Sequence, residues 1–438
     1  MTDSRATESG VPDSRRGFLK DSTRALAAGS VISTLSVAPK VHAAGSDVLR
    51  LGLVGCGGRG TGAAKQALTA DKNTRLVAVA DAFAEPIYSC LQSLAKQTDV
   101  AERVNVDEER RFGGFNGFQQ LLESDVDVVL LCTPPQFRPL HLRAALEAGK
   151  HVFAEKPVAV DALGVRSVLE STELAKKKKL SIVSGLNSRY SFSMQEMMRR
   201  IHEGAIGNIT SLHAVRYAGG VWVRPRKPGM TDMEYQMRNW YYFTWLSGDF
   251  NVEQFVHQYD QISWAMDNEY PERCYSTGGR QARTGEQYGH IFDHFSSVFE
   301  YAGGARAYMT TRHQRGCSNE SSVVITGTKG TATLSRRNSG IAGEVNWRPP
   351  EKEETDSHQL EHDAFFAALR QGRIINNGDY MAYSTMMAIL ARMTAYTGQT
   401  VSWGDGMNAK LDLTPASYDW NAKPPESEVA IPGVTKFV

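Results

Sequence analysis

Leu49-Arg50-Leu51-Gly52-Leu53-Val54-Gly55-Cys56-Gly57-Gly58-Arg59-Gly60 decides the fold. A short apolar run, the pattern of a buried strand, passes straight into G-x-G-x-x-G and then into a helical pattern from about Thr61. In that setting Gly55 permits the tight turn, Gly57 lets backbone approach a pyrophosphate, and Gly60 lets the helix pack close to the strand. The loop, with Arg59 inside it, is therefore expected to cradle a dinucleotide on the N–H groups of the helix start. Asp81 lies 21 residues beyond Gly60, at the end of the next strand pattern, where a carboxylate can accept from both ribose hydroxyls. It would repel a 2′-phosphate, and Ala82-Phe83-Ala84 offers no neighbouring cation, so NAD is expected over NADP.

Strand patterns at 49–54, 75–80, 126–131 and 151–154 alternate with amphipathic stretches, which predicts crossovers and a parallel sheet, and another strand pattern, 180–185, falls after that domain. Asp161 is placed to cap a helix ending in Lys176 to Lys179, where cations suit the helix C-terminus. From Ile209 the segments become longer and β-rich: 209–217, 272–277, 291–301, 305–313, 322–326 and 331–335. The turns Ala302-Gly303-Gly304 and Thr328-Lys329-Gly330 join neighbours as hairpins, and two amphipathic helices follow at about 358–370 and 379–396. The expected fold is α/β: a Rossmann-type parallel-sheet domain, then an α/β domain with a large, mostly antiparallel open sheet. Expected boundaries are 1–43 for an export signal, 44–158 for the nucleotide domain, 159–400 for the second domain and 401–438 for a polar tail.

Composition removes several classes of function. The 438 residues carry 49 Lys+Arg against 48 Asp+Glu, so nothing draws the chain to a nucleic-acid backbone, and nucleic acid is not an expected partner. Five scattered cysteines give neither a disulfide scaffold nor a zinc motif, and no metal site is expected. Near the N-terminus, Ser14-Arg15-Arg16-Gly17-Phe18-Leu19-Lys20 precedes a mildly apolar stretch, Ala25 to Ala38, and then Val41-His42-Ala43. That stretch is too short and too polar to span a bilayer, which takes about 20 apolar residues. The segment resembles a twin-arginine export signal with its cleavage end, which implies the twin-arginine machinery as a partner and a periplasmic or otherwise exported location.

Further along, Cys132-Thr133-Pro134-Pro135 ends a strand, His141 opens a helix, and Ala154-Glu155-Lys156-Pro157 ends the next strand. With the glycine loop these motifs, in this order and spacing, make the chain resemble the Gfo/Idh/MocA family of nicotinamide-dependent oxidoreductases from Leu49 to about Thr400. The resemblance implies that Thr133, Pro134 and His141 line the cofactor site, that Glu155 and Lys156 contact its ribose and the substrate, and that the second domain forms a homo-oligomer. It also implies a second signature, a Gly-rich turn followed by Asp-x-x-x-His. Here Ser247-Gly248-Asp249-Phe250-Asn251-Val252-Glu253-Gln254-Phe255-Val256-His257 places Glu253 at the aspartate and His257 at the histidine. A spacing of four puts both on one face of a helix, with His257 as general acid/base and Lys156 supporting a developing alkoxide.

Tyr235 to Trp245 is unusually aromatic, and Arg238 and Trp240 within it suit a sugar's polar edges and apolar faces as well as they suit a core. Arg189, Tyr190 and His313 are weaker candidates for substrate contact. The expected activity is hydride transfer from a hydroxyl-bearing carbon of a sugar, polyol or glycoside to a tightly retained NAD. Two alternatives remain: a redox-neutral glycosidase working by oxidation and elimination, whose Tyr-x-x-His hallmark is absent around His257, and a binding protein without catalysis.

Overall fold

The computed structural model describes residues 48–335, 338–350, 355–425 and 428–438. The export signal expected over 1–43 lies outside the described residues. Strands β1 (Leu49–Val54), β2 (Thr74–Asp81), β3 (Arg111–Gly113), β4 (Val128–Leu131), β5 (His151–Ala154) and β6 (Ile182–Ser184) form a parallel sheet in the order β3-β2-β1-β4-β5-β6. Strands β1, β4 and β5 are buried almost throughout, as strands covered by helices on both faces must be. The order reverses between β1 and β4, which opens a crevice at their C-terminal ends.

The expected domain boundary at 158 falls short. The helix Ala162–Lys178, capped by Asp161 accepting from the Gly164 N–H at 2.7 Å, is one more crossover. It returns the chain to β6, which pairs parallel with β5, so the sheet closes only at Ser184.

The second sheet comprises β7 (Ile209–Ala218), β8 (Arg273–Gly279), β9 (His294–Glu300), β10 (Arg306–His313), β11 (Glu320–Gly327), β12 (Gly330–Ser335), β13 (Gly340–Gly343) and β14 (Val401–Ser402). Its order is β13-β12-β11-β7-β10-β9-β8-β14, and every pairing is antiparallel except β10 with β7. Both predicted glycine turns join adjacent antiparallel strands. One face is apolar and meets the helices Val256–Ala265 and Gly378–Thr397; the latter is buried nearly all round.

The expected polar tail after 401 is instead part of the fold. Val401 pairs with Cys274 in β8, the Leu413 N–H donates to Asp161, and Tyr418 and Trp420 pack on Phe115, at 5.8 and 4.4 Å between ring centroids. Its polar composition conceals these few aromatic anchors.

Candidate active site

The nucleotide wall is built from backbone. Gly55 has φ +96°, and a Cβ there would lie 2.6 Å from the Cys132 carbonyl carbon; one on Gly60 would lie 1.8 Å from the Gly55 oxygen. Both positions exclude any side chain. A Cβ on Gly57 or Gly58 would meet nothing within 4 Å, so this side of the loop is open. The helix Gly58–Ala70, three residues earlier than its expected start, has no side-chain cap and no acidic residue in its first turn. Its leading N–H groups are thus available to an anion. Asp81 accepts from the Cys56 N–H at 2.7 Å and the Phe83 N–H at 3.0 Å, while burial raises its pKa. An open loop, an uncapped helix start and a carboxylate at the strand end fit a dinucleotide.

These residues line a cleft of about 760 Å³ that also includes Thr133, Pro134, Phe137 and His141. Its far side comes from the second domain: Trp222, Arg224, Lys227, Met237, Arg238 and Trp240. The premise that no cation lies near Asp81 and Phe83 is therefore corrected. Sequence distance hid Arg238, whose guanidinium sits 4.0 Å from the Phe83 ring centroid and donates to Glu85 at 3.0 Å. Glu85 and Glu234 neutralise it, and the Asp81 carboxylate keeps the preference for NAD. His141 approaches the Thr133 hydroxyl at 3.4 Å, and burial pushes its pKa down to about 3, so it remains a neutral ring.

Side chains make a second cluster, whose Lys156, Glu253 and His257 are not among the residues lining that cleft. Lys156 leaves the end of β5 and donates to the Glu253 carbonyl at 2.8 Å, with the Glu253 carboxylate 3.7 Å away. The single helix expected to carry Glu253 and His257 is in fact two, Phe250–Glu253 and Val256–Ala265. Buried Phe255 turns the chain between them, and the Tyr241 hydroxyl donates to Gln254 in the same turn. Glu253 therefore faces Lys156, and no hydrogen bond or ion pair joins it to His257 among the described residues. His257 is half-buried at the start of the second helix. Burial, followed by Lys156, His358 and Arg216, holds its imidazole well below the usual value of about 6.5. A neutral imidazole beside an ammonium can take a proton while the ammonium stabilises negative charge.

Glu155 pairs with Arg59 of the glycine loop at 3.0 Å, tying the two motifs together. Arg189 donates two bonds to Asp260 at 3.0 and 2.8 Å and lies 4.0 Å from the Tyr380 ring centroid, while the Tyr190 hydroxyl donates to Asn377 at 2.7 Å. Both are committed to the protein interior, which argues against their expected contact with substrate. Of the aromatic run, Tyr241, Tyr242, Phe243 and Trp245 are core, and Trp240 faces the cleft.

Sequence reasoning missed Arg138 and Asp249. Arg138 is buried and donates to the Leu131, Thr133 and Pro157 carbonyls at 3.1, 2.7 and 3.2 Å, fixing the Thr-Pro turn against the Glu-Lys-Pro turn. Asp249, fully buried at φ +87°, accepts from the Tyr396 hydroxyl and the Phe292 and Asn251 N–H groups. It caps the helix that presents Glu253. Its place just after the Gly248 turn was the available signal.

The parallel sheet, the glycine cradle and the Lys156–His257 wall define a dinucleotide-dependent oxidoreductase of two domains. The chain belongs to the GFO/IDH/MocA family. Residues 49–185 match its oxidoreductase domain with the NAD-binding Rossmann fold, and residues 194–333 match its C-terminal domain. The protein is accordingly an NAD-dependent oxidoreductase acting on CH–OH donors. It is 25% identical over 336 residues to the inositol 2-dehydrogenase of Rhizobium meliloti, covering 74% of this chain and 89% of that one. In fold it resembles the aldose-aldose oxidoreductase of Caulobacter crescentus, with TM-score 0.62 and 18% identity over 81% of this chain and 99% of that one. A levoglucosan dehydrogenase, solved with NADH and levoglucosan, gives TM-score 0.61 and 16% identity over 81% and 99%.

Proposed function

We propose that this protein oxidises a hydroxyl-bearing carbon of a sugar or polyol, with His257 accepting the hydroxyl proton and Lys156 stabilising the oxygen it leaves. The observation that carries this reading is the Lys156 ammonium, fixed at 2.8 Å by the Glu253 carbonyl in the cluster that also holds a neutral His257. NAD, when bound, supplies the acceptor for the hydride from that carbon. Arg138 and Arg59 hold the two motif turns in register, and Trp240 lines the cleft. Similarity to an inositol dehydrogenase supports a polyol or cyclic sugar as the donor.

The twin-arginine signal adds export to the proposal, with NAD loaded before transport and retained. The segment from Trp222 to Trp240 contributes much of the cleft lining, which supports retention. The outward face of the second sheet carries Val324, His213, Tyr308, Val298 and Tyr275 in one cross-strand row, which supports a homo-oligomer. Purified protein from the exported fraction should release NAD on denaturation, form NADH when given inositols or aldoses, and elute as a multimer by light scattering. Cleavage of a glycoside with no net NADH would replace the proposal with the elimination chemistry; protein that binds sugar and changes neither would replace it with a binding role.

A further inference from the structure

The inner face of the second sheet changes character along its length. Directly paired residues on β11, β7 and β10 share a face, so they can be taken row by row. The first row is Ile325, Leu212 and Ala307, the second Val323, Ala214 and Met309; all six are buried. The next row is Ser321, Arg216 and Thr311, and beyond it His313 pairs with Ala218. A core face thus turns polar at Arg216, at the end of the sheet that meets the turn carrying Glu253, Phe255 and His257. Arg216 lies 5.8 Å from the Phe255 ring centroid and His313 5.8 Å from the same ring.

Thr311 donates to Asn251 at 3.0 Å, Lys156 pairs with Glu253, and Arg189 pairs with Asp260. Arg216, half-buried, has neither a hydrogen bond nor an ion pair among the described residues, and the buried Nε2 of His313 also lacks a partner. A ring contact at 5.8 Å does not satisfy a guanidinium's fork of donors, and partly burying an unpaired charge is costly. The charged groups that act on His257 are Lys156, His358 and Arg216, all cationic or capable of it.

We propose that Arg216 is a specificity-determining residue that binds an oxyanion on the substrate, a carboxylate or a phosphate, so that the donor is an acidic sugar or polyol. The planar fork matches either group through two parallel bonds, which Lys156, a single ammonium, cannot provide. The substrate then lies with its reacting hydroxyl at His257 and Lys156 and its anionic group at the Arg216 guanidinium. This rests on the proposed sugar or polyol oxidation at the same site, and the test separates the two. Full-length protein loaded with NAD is titrated calorimetrically with glucuronate, gluconate, glucose 6-phosphate, glucose and myo-inositol, and NADH formation is followed in parallel.

An acidic sugar should bind at least about 10-fold tighter than its neutral parent, the scale of a charge-assisted bond. Arg216→Gln should collapse that ratio to about one, acting on KM more than on kcat, and Arg216→Lys should restore part of it. Preference for glucose 6-phosphate would identify phosphate, and preference for the uronate or aldonate would identify carboxylate; either supports the assignment. Equal affinities for acidic and neutral sugars, or an Arg216→Gln variant that keeps the ratio, would overturn it. Arg216-dependent binding of acids without NADH from any donor would leave this assignment standing and remove the oxidation. An NAD titration of each variant verifies that it has folded.

Discussion

At the nucleotide wall Gly55, Gly57 and Gly60 strip the chain to bare backbone, so that N–H groups and a helix end face the ligand. A second wall is built of side chains, Lys156, His257 and Arg216, set on strand ends and a broken helix. At Gly55 and Gly60 the first wall tolerates no added atom, and the second tolerates changes of shape but not of charge or proton affinity. Changes to the second wall should therefore damage turnover and spare dinucleotide binding. Lys156→Met and His257→Ala are each expected to lower kcat by about 10²–10⁴-fold, with NAD affinity within a few-fold of wild type. Because His257 is held below the ordinary imidazole range, kcat/KM for oxidation should stay level as pH falls through 6.5 and drop only well below it. An acid limb at or above pH 6.5 would take the base role away from His257.

The first wall should break in the opposite manner. With Gly60→Ala the new Cβ would need the space of the Gly55 oxygen, 1.8 Å away, and backbone rather than a flexible side chain must move. NAD affinity should fall by about 100-fold or more, while any turnover at saturating NAD falls much less. Equilibrium binding and saturation kinetics on one preparation decide it; intact affinity would show that the loop has slack the geometry denies.

This division also explains what could be read from the chain. Backbone chemistry is local, so the glycine loop, Asp81 and β1 with its exact bounds were legible. So was most of the second sheet, because hairpin turns such as Ala302-Gly303-Gly304 announce antiparallel neighbours. The three-residue β3 carries too little pattern to detect, and β6 was placed in the wrong domain because a crossover helix does not announce which sheet it returns to. Side-chain chemistry across the crevice is not local. Arg138 meets three carbonyls from two strand ends, Arg216 acquires its meaning from rows contributed by β10 and β11, and Phe255 splits a helix whose spacing alone predicts continuity.

Behind the second wall, Asp249 provides a test of pH dependence with a definite sign. Burial raises its carboxyl to about 6 from 3.8, despite the Tyr396 hydroxyl and two N–H donors. A carboxyl whose folded value is raised stabilises the fold fully below the unfolded value, and that stabilisation disappears as pH rises through the folded one. Between pH 4 and pH 7.5 wild type should lose about 2 kcal/mol relative to Asp249→Asn, whose amide does not titrate and whose side chain tolerates positive φ. Urea unfolding of both proteins at the two pH values measures the difference. Curves that stay parallel would mean that Asp249 is ionised at little cost, and that its donors outweigh its burial.

The smallest expected effect lies where the two walls touch. Arg238 reaches from the second domain over Phe83 and to Glu85, but its Glu85 partner is 67% exposed, and such an ion pair contributes about 0–1 kcal/mol. The stacking on Phe83, at 4.0 Å, contributes about 0.5–1 kcal/mol more. Arg238→Gln should therefore speed NAD release by only about 2- to 30-fold, and the part due to the ion pair should shrink in high salt. Stopped-flow release at two ionic strengths measures both. If release is unchanged, the segment from Trp222 to Trp240 covers the cleft without clasping it, and retention rests on the glycine wall alone. If release accelerates 100-fold, the two walls are coupled, and Arg238 holds the dinucleotide through the Phe83 ring rather than through its charge.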